Sequence, residues 1–344
     1  MTQGHSGLHD PGSGVAVDSV LAERGGGKTQ GLAAGARFDH SIGVQNGAVS
    51  VMSETKAESR PRTIDDVTTR DLLDRSHFGE DALTPVERWQ IGFVRKTFES
   101  GALDRGIRFL QRHIGANWIE QSIKNLRHVH GLDRLPRFDR DASTILVSNH
   151  RSFFDLYVVT AYLVKRGMPQ RLVFPVRSQF FYDKPLGLAV NGIMSFFAMY
   201  PPVFRERKRA ALNLASLDEV VRLIKQGGAF VGLHPEGTRN KTDDPYTLLP
   251  AQGGVGRIIQ AARGKATVIP VFVNGLGNDI VRQVGSNYMK NGAPVTVVFG
   301  KPVDFGDMLD GAPSPRLHRR ISEHTLDAIR KLGEEDREIR ARVR

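Results

Sequence analysis

Beyond Arg140 the chain alternates between two hydrophobic rhythms. Short, unbroken apolar runs, "STILVSNH" (143–150), "RLVFPV" (171–176), "AFVGLHPEG" (229–237), "ATVIPVFVNG" (266–275) and "APVTVVFGKPV" (293–303), have the length and β-branched content of buried strands. Between them stand amphipathic stretches with helical spacing: "SFFDLYVVTAYLVKRG" (152–167), "LASLDEVVRLIKQGG" (214–228) with its Gly stop, and "GGVGRIIQAARG" (253–264). Strands that are apolar at every position must be covered on both faces. Their alternation with helices predicts an α/β fold: a mixed, largely parallel sheet flanked by helices on both faces.

Upstream of Arg140 only the helical rhythm is present. "TPVERWQIGFVRKTFES" starts a helix with Thr84 as N-cap, Pro85 at its first position and Glu87 completing a capping box. In "LDRGIRFLQRHIGANWIEQSIKNLRHV" (103–129), Ile107, Leu110, Ile114 and Trp118 recur at helical spacing among Arg105, Arg108, Arg112 and Lys124. The two helices predict a hairpin, read either as a layer packed on the core or as a basic amphipathic element on a membrane surface. "RLHRRISEHTLDAIRKLGEEDREIRARVR" (316–344) reads as a charged helix frayed at its end. The longest uncharged run, Pro185 to Phe204, approaches the ~20 residues of a spanning helix. Asn191, two glycines and Pro201-Pro202 interrupt it, which suits a buried helix followed by an extended segment, or a surface that dips into lipid. The expected division is a disordered tail at 1–60, a linker at 61–80, the helical hairpin at 81–130, an α/β domain at 131–310 and the charged helix at 311–344.

Composition separates the tail from the rest. Eleven of the 36 glycines fall in the first sixty residues, which lack a sustained period. That tail holds five Lys/Arg and six Asp/Glu, so the remaining residues carry a net charge of +12. A basic folded part attracts nucleic acid, anionic membranes or phosphorylated substrates alike. The absence of cysteine excludes disulfides, Cys-ligated zinc and thiol nucleophiles. "MTQGHSGLHDPGSG" lacks the pattern of a secretory signal, so a cytoplasmic location is expected.

Four stretches could carry chemistry. In "SNHRSFFD", His150 stands where a strand ends, the place where α/β sheets bind ligands. Ser152 and Asp155 have the form of a capping box with Asp155 as its N3 carboxylate, and a loop His150 could also fold back on Asp155, donate one ring N–H and offer the other nitrogen as a base. In "GLHPEGTRN", Gly237 lets backbone N–H groups approach an anion, Thr238 can donate, and Arg239 can fork onto a phosphate or carboxylate. In "YPPVFRERKRA", Arg205, Arg207, Lys208 and Arg209 form either a solvated helix start or an anion clamp beside an apolar trough. In "ATVIPVFVNG", Pro270 suggests a bulge or strand end.

Taken in order, these pieces resemble the glycerolipid acyltransferases of the lysophosphatidic acid acyltransferase (PlsC-like) family. "NHRSFFD" fits its Asn-His, four residues, Asp block, and "PEGTR" its Glu-Gly-Thr-Arg block. "VFRER" and "VIPVFVNG" are similar to its second and fourth blocks, and the similarity covers about Arg140 to Asp304. The resemblance implies His150 as catalytic base and Asp155 as its orienter. It implies Glu236, Gly237, Thr238, Arg239 and Arg207, with Arg205 as a rival, around the acceptor and its phosphate, supported by Asn149, Pro235 and Pro270. It further implies transfer of a fatty acyl group from acyl-CoA or acyl carrier protein to the hydroxyl of a lysophospholipid, most simply 1-acyl-glycerol-3-phosphate. No metal or bound cofactor is implied, and the protein would sit peripherally on the inner face of a membrane. A histidine can take the proton that a hydroxyl loses on attacking a thioester, and the departing thiol needs no covalent enzyme nucleophile.

Another lysolipid, an aminolipid or a glycolipid are alternative acceptors. A noncatalytic basic module for anionic membranes or nucleic acid is the rival class; it explains the charge but not the gathering of His, Asp, Glu, Thr and Arg at strand ends. Without interleaved aromatics in the basic patches, nucleic acid is not the expected partner. A hydrolase would be expected to carry a Gly-x-Ser-x-Gly elbow, which is absent. The chain departs from the family in the spacing that precedes Arg207, in the lack of a lysine after "PEGTR", and at His234, where an aromatic such as Phe is typical. His234 is expected to have no catalytic role of its own.

Overall fold

A computed structural model of the chain describes residues 83, 85–177, 198–204 and 210–343. The expected tail and linker, Thr84, most of the Pro185–Phe204 run, and Arg205 and Arg207 lie outside the described residues.

Seven strands form one sheet: β1 (Arg127–His130), β2 (Ser143–Ser148), β3 (Arg171–Arg177), β4 (Met199–Val203), β5 (Ala229–Leu233), β6 (Ala266–Asn274) and β7 (Val295–Phe299). Their spatial order is β1-β7-β6-β2-β5-β3-β4. β2 lies parallel to both β5 and β6, and β3 and β4 continue the parallel set. β7 runs antiparallel to β6, and β1 runs parallel to β7, so the sheet is mixed and largely parallel. After β2 the chain crosses to β3 on one side, whereas after β5 it crosses to β6 on the other. Such a reversal of direction opens a crevice beyond the carboxyl ends of the strands.

The unbroken apolar runs follow from two buried faces. Ile145 and Val147 of β2 join one core cluster, and Leu146 between them joins the other. In β6, Val268 and Phe272 face the first cluster while Ile269, Val271 and Val273 face the second. The first face is covered by α1 (Pro85–Glu99), α5 (Ala210–Gln226), α6 (Gly253–Ala261) and α8 (Pro315–Val343). The second is covered by α3 (Ala116–Ile123) and α4 (Asp155–Lys165). Pro270 lies inside β6 rather than at a bulge or strand end, paired in register with Val147. Its carbonyl accepts from Gly300 N at 2.9 Å, one residue past the last β6–β7 pair, so its missing donor falls where that ladder ends.

Three elements depart from the sequence reading. The second helix is α2 (Gly101–Leu110), then a π turn at Gln111–Gly115, then α3. The last residues assigned to it form β1, which belongs to the sheet, so the boundary expected at 130 cuts through a strand pair. An unexpected helix, α7 (Ile280–Met289), packs on α3 through Asn287, which donates to Gln121 O and accepts from Asn125 N. The C-terminal helix, expected as a charged segment outside the α/β domain, belongs to its core through Ile321, Leu326, Ile329 and Leu332. At Gly256 of α6 an added Cβ would come within 1.8 Å of the His318 carbonyl oxygen, a measure of how closely α6 and α8 approach.

The hairpin formed by α1 and α2 is bolted down by a buried cation. Arg171 of β3 donates to Thr97 O at 2.7 Å and Asp104 Oδ1 at 3.0 Å, with its guanidinium 3.4 Å from the Phe98 ring centre. Its outer side keeps Trp89, Phe93 and Phe109 exposed, and Ile114 of the π turn and Trp118 of α3 are exposed as well.

Candidate active site

Asn149 and His150 follow the last residue of β2. Asn149 is fully buried and completes the ladder to β6 with its side chain, donating to Val273 O at 2.9 Å and accepting from Val273 N at 2.8 Å. His150 is then held by its own backbone: its N–H donates to Glu236 Oε1 at 2.8 Å, and its carbonyl accepts from Asn240 N at 2.7 Å. Both partners come from the turn after β5. Adjacency of β2 and β5 in the sheet therefore brings "SNHRSFFD" and "PEGTRN" together.

The His150 side chain faces Asp155, with Nδ1 3.3 Å from Oδ2. That oxygen also accepts from Arg151 N at 2.7 Å and Ser152 N at 2.8 Å, while the buried Oδ1 has no hydrogen-bond partner. Burial pushes the Asp155 carboxyl up to about 6, against the lowering effect of His234 and the two backbone donors. The expected capping box is half formed. Asp155 is the first residue of α4 rather than its third, Phe154 is the N-cap, and the Ser152 hydroxyl donates to Gly277 O at 2.8 Å. Histidine in the loop and aspartate at the helix start is the arrangement that lets residues five apart meet.

Glu236 differs from its expected place in the acceptor site. It is buried, and its second oxygen accepts from Leu249 N at 2.8 Å, so it braces the His150 loop and the 240–250 loop from within. Burial raises its carboxyl above the usual range. Pro235 is likewise buried, its carbonyl accepting from Gln252 N at 2.8 Å. Gly237 sits exposed at φ +65°, a backbone that favours glycine, and a Cβ there would meet Gln252 Cγ at 2.9 Å. Thr238 and Arg239 lie half-buried beside it, and Arg239 Nη1 donates to Asn278 Oδ1 at 3.3 Å.

Sequence reasoning missed several supports. Arg151 donates to the Thr242 and Asp244 carbonyls at 2.6 and 3.1 Å and pins the 240–250 loop. Asn278, in the Gly-rich turn after β6, accepts from Phe153 N at 3.4 Å as well as from Arg239. That turn composition was the available signal. His234 stacks on His150, ring centres 3.8 Å apart and planes inclined by 11°. Burial, and the neighbouring His150, push its imidazole down to about 3.

His150, Asp155 and His234 bring potential ligand atoms within 4.8 Å of one another. The donor set fits a metal poorly. Imidazole lone pairs lie in the ring plane, and two stacked, nearly parallel rings do not direct theirs to one point at the ~2.0–2.1 Å of a zinc–nitrogen bond.

The model of the Acyltransferase family matches residues 126–274, from the residue before β1 to the last residue of β6. The matched stretch holds the His150–Asp155 pair and the "PEGTRN" turn, so the candidate site lies within the part that is similar to acyltransferases. Over 209 residues the chain is 29% identical to the chloroplastic 1-acyl-sn-glycerol-3-phosphate acyltransferase BAT2 of Brassica napus, covering 60% of this chain and 54% of that protein. Over 176 residues it is 27% identical to the chloroplastic 1-acyl-sn-glycerol-3-phosphate acyltransferase LPAT1 of Arabidopsis thaliana, covering 51% and 43%. The chain thus spans about half the length of the curated relatives it matches. The acyltransferase match includes β1, which the sequence reading had left in the hairpin.

Proposed function

We propose that this acyltransferase domain moves a fatty acyl group from acyl-CoA or acyl carrier protein to the free hydroxyl of a lysophospholipid, 1-acyl-glycerol-3-phosphate before other lysolipids. The observation that carries the reading is the His150–Asp155 pair at the carboxyl end of β2, with the His150 backbone held on both sides by the "PEGTRN" turn. His150 Nε2 takes the proton of the acceptor hydroxyl as its oxygen attacks the thioester carbonyl. The new C–O bond forms, the C–S bond breaks, and the proton passes to the departing thiolate. Asp155 holds the Nδ1–H tautomer and supports the imidazolium. Arg239, steadied by Asn278, binds the acceptor phosphate beside Gly237 and Thr238, and Arg207 or Arg205 reinforces it.

The protein works from a membrane surface, peripherally and on the cytoplasmic side. Among the described residues no helix is long and apolar enough to cross a membrane. Trp89, 65% exposed, stacks on Phe93, and Phe109, Ile114 and Trp118 are exposed further along the chain, as are Arg105 and Arg112. α7 turns its polar Asn287 inward and leaves Val281, Tyr288 and Met289 outside, Val281 at 81% exposure. Aromatic and aliphatic side chains on a basic surface suit the boundary of an anionic bilayer, where the acceptor resides.

Purified protein supplied with labelled acyl-CoA or acyl carrier protein and a panel of lysolipids is expected to form the diacyl product, with His150→Ala inactive. Transfer to no acceptor from either donor would sink the proposal; turnover by His150→Ala would remove the assigned base.

A further inference from the structure

His234 lies against the ring of the candidate base, at the end of β5. Its Nδ1 is 3.0 Å from both Ser148 O and Asn149 O. Carbonyl oxygens only accept, so the ring proton sits on Nδ1 and is shared between them. Both carbonyls belong to the segment that delivers His150, which means that base and stacking partner hang from the same piece of backbone. The 3.3 Å contact with Asp155 is long for a charge-assisted bond. The flat contact with His234 adds a restraint on the plane of the ring.

We propose that His234 is a positioning residue for acyl transfer: an aromatic platform that fixes the plane of His150 and lies beneath the imidazolium formed when His150 takes the acceptor's proton. The proposal rests on the reading of His150 as the base. A ring face supports a cation stacked on it only if it is itself uncharged. His234 meets that condition, since burial pushes its imidazole down to about 3 and keeps it neutral where a neutral His150 can act as a base. Aromatic character is what the role requires. His234 and the Phe typical of the family at this position share it, although only the histidine can also tether itself to the Ser148 and Asn149 carbonyls.

The test compares the full chain with His150→Ala, His234→Leu and His234→Phe, using labelled palmitoyl-CoA and 1-oleoyl-glycerol-3-phosphate in vesicles, with thermal melts of each variant. A desolvated cation–ring contact corresponds to about 30-fold in rate, so His234→Leu is expected to lose about that factor in kcat. KM for both substrates should stay within about 2-fold, because the contact forms with the charge and not with substrate binding. His234→Phe should recover most of the lost kcat, which a loss of packing or of the carbonyl tether would not allow. If His234→Leu does not fold, His234→Met replaces it, since an unbranched side chain fills the space without a ring face. An unchanged kcat in the variant without a ring, a loss confined to KM, or a Phe variant as slow as the Leu or Met one overturns the platform. An active His150→Ala overturns the base, and the platform with it; an inactive His150→Ala beside a fully active His234→Leu overturns the platform alone.

Discussion

Asp155 concentrates the conflict in this site. Three donors converge on one carboxylate oxygen while the other is buried with none, and burial lifts the group to about 6. Two consequences of opposite sign follow. The carboxylate form orients His150, so turnover should fall as the pH drops through about 6 and Asp155 takes up a proton. For stability the folded value lies above the unfolded one, so the native state binds more protons between about 4 and 6 and stability is lost as pH rises through that window, on the order of 3 kcal/mol. Asp155→Asn should therefore lose activity by at least ~100-fold, the usual scale of general acid–base contributions. Its stability relative to the parent should improve from pH 4 to pH 7. Paired pH–rate curves and denaturant titrations of parent and variant measure both, and a variant that loses ground as pH rises would contradict the sign.

Helices at the edge of the sheet divide into those that bury an apolar face and those that do not. α4 is almost wholly buried, whereas α7 meets α3 through Asn287, Asn125 and Gln121 and turns Val281, Tyr288 and Met289 outward. The hairpin shows the same duality within single helices: Ile91 and Val94 of α1 are core, while Trp89 on that helix is exposed. The inner side fits the reading of a layer packed on the core, and the outer side is the one that the proposed membrane docking would use. Replacing Trp89 and Phe109 together by Ser should weaken cosedimentation with anionic liposomes by roughly tenfold, given the free energy of exposed aromatic surface entering an interface. Thermal stability should change little, because neither side chain supports the core. Unaltered liposome binding would remove this face from the docking surface.

The Acyltransferase match ends at β6, yet the folded body continues through α8. Asp336 of α8, fully buried, accepts from Tyr246 Oη at 3.1 Å, Asn274 Nδ2 at 2.8 Å, Arg340 Nε at 3.1 Å and the Thr296 hydroxyl. This network joins β6, β7, the C-terminal helix and the 240–250 loop. The same loop is held by Arg151 and Glu236, so the far helix and the His150 loop share a support. Asp336→Ala takes the shared acceptor from Arg340 and three other donors, and about 3–5 kcal/mol of stability should be lost, the scale for breaking a buried pair. Urea unfolding should remain a single transition with a lower midpoint. A separate early transition for α8 would mean that the helix is not part of the same cooperative unit.

The α/β class was legible because burial on both faces of the sheet leaves a mark in β2, β3, β5, β6 and β7: successive apolar residues, with polar ones mainly at the strand ends. β1 and α7 left no such mark. "RHVH" is a four-residue edge strand with one exposed residue and no fully buried one, and α7 is held by asparagine side chains rather than by an apolar stripe. Of the candidate site, the residues alone left a helix cap and a base both open at His150 and Asp155, and the resemblance of "NHRSFFD" and "PEGTR" to family blocks is what joined them into one site. Non-local facts were out of reach: the inward brace of Glu236, the Arg151 clamp on 242–244 and the stack of His234 on His150. All three join segments that are remote in the chain and meet because β2 and β5 are neighbours. Local propensity and hydrophobic period act over a few residues and fix which elements form; strand order decides which loops face one another, and with it the surroundings of His150.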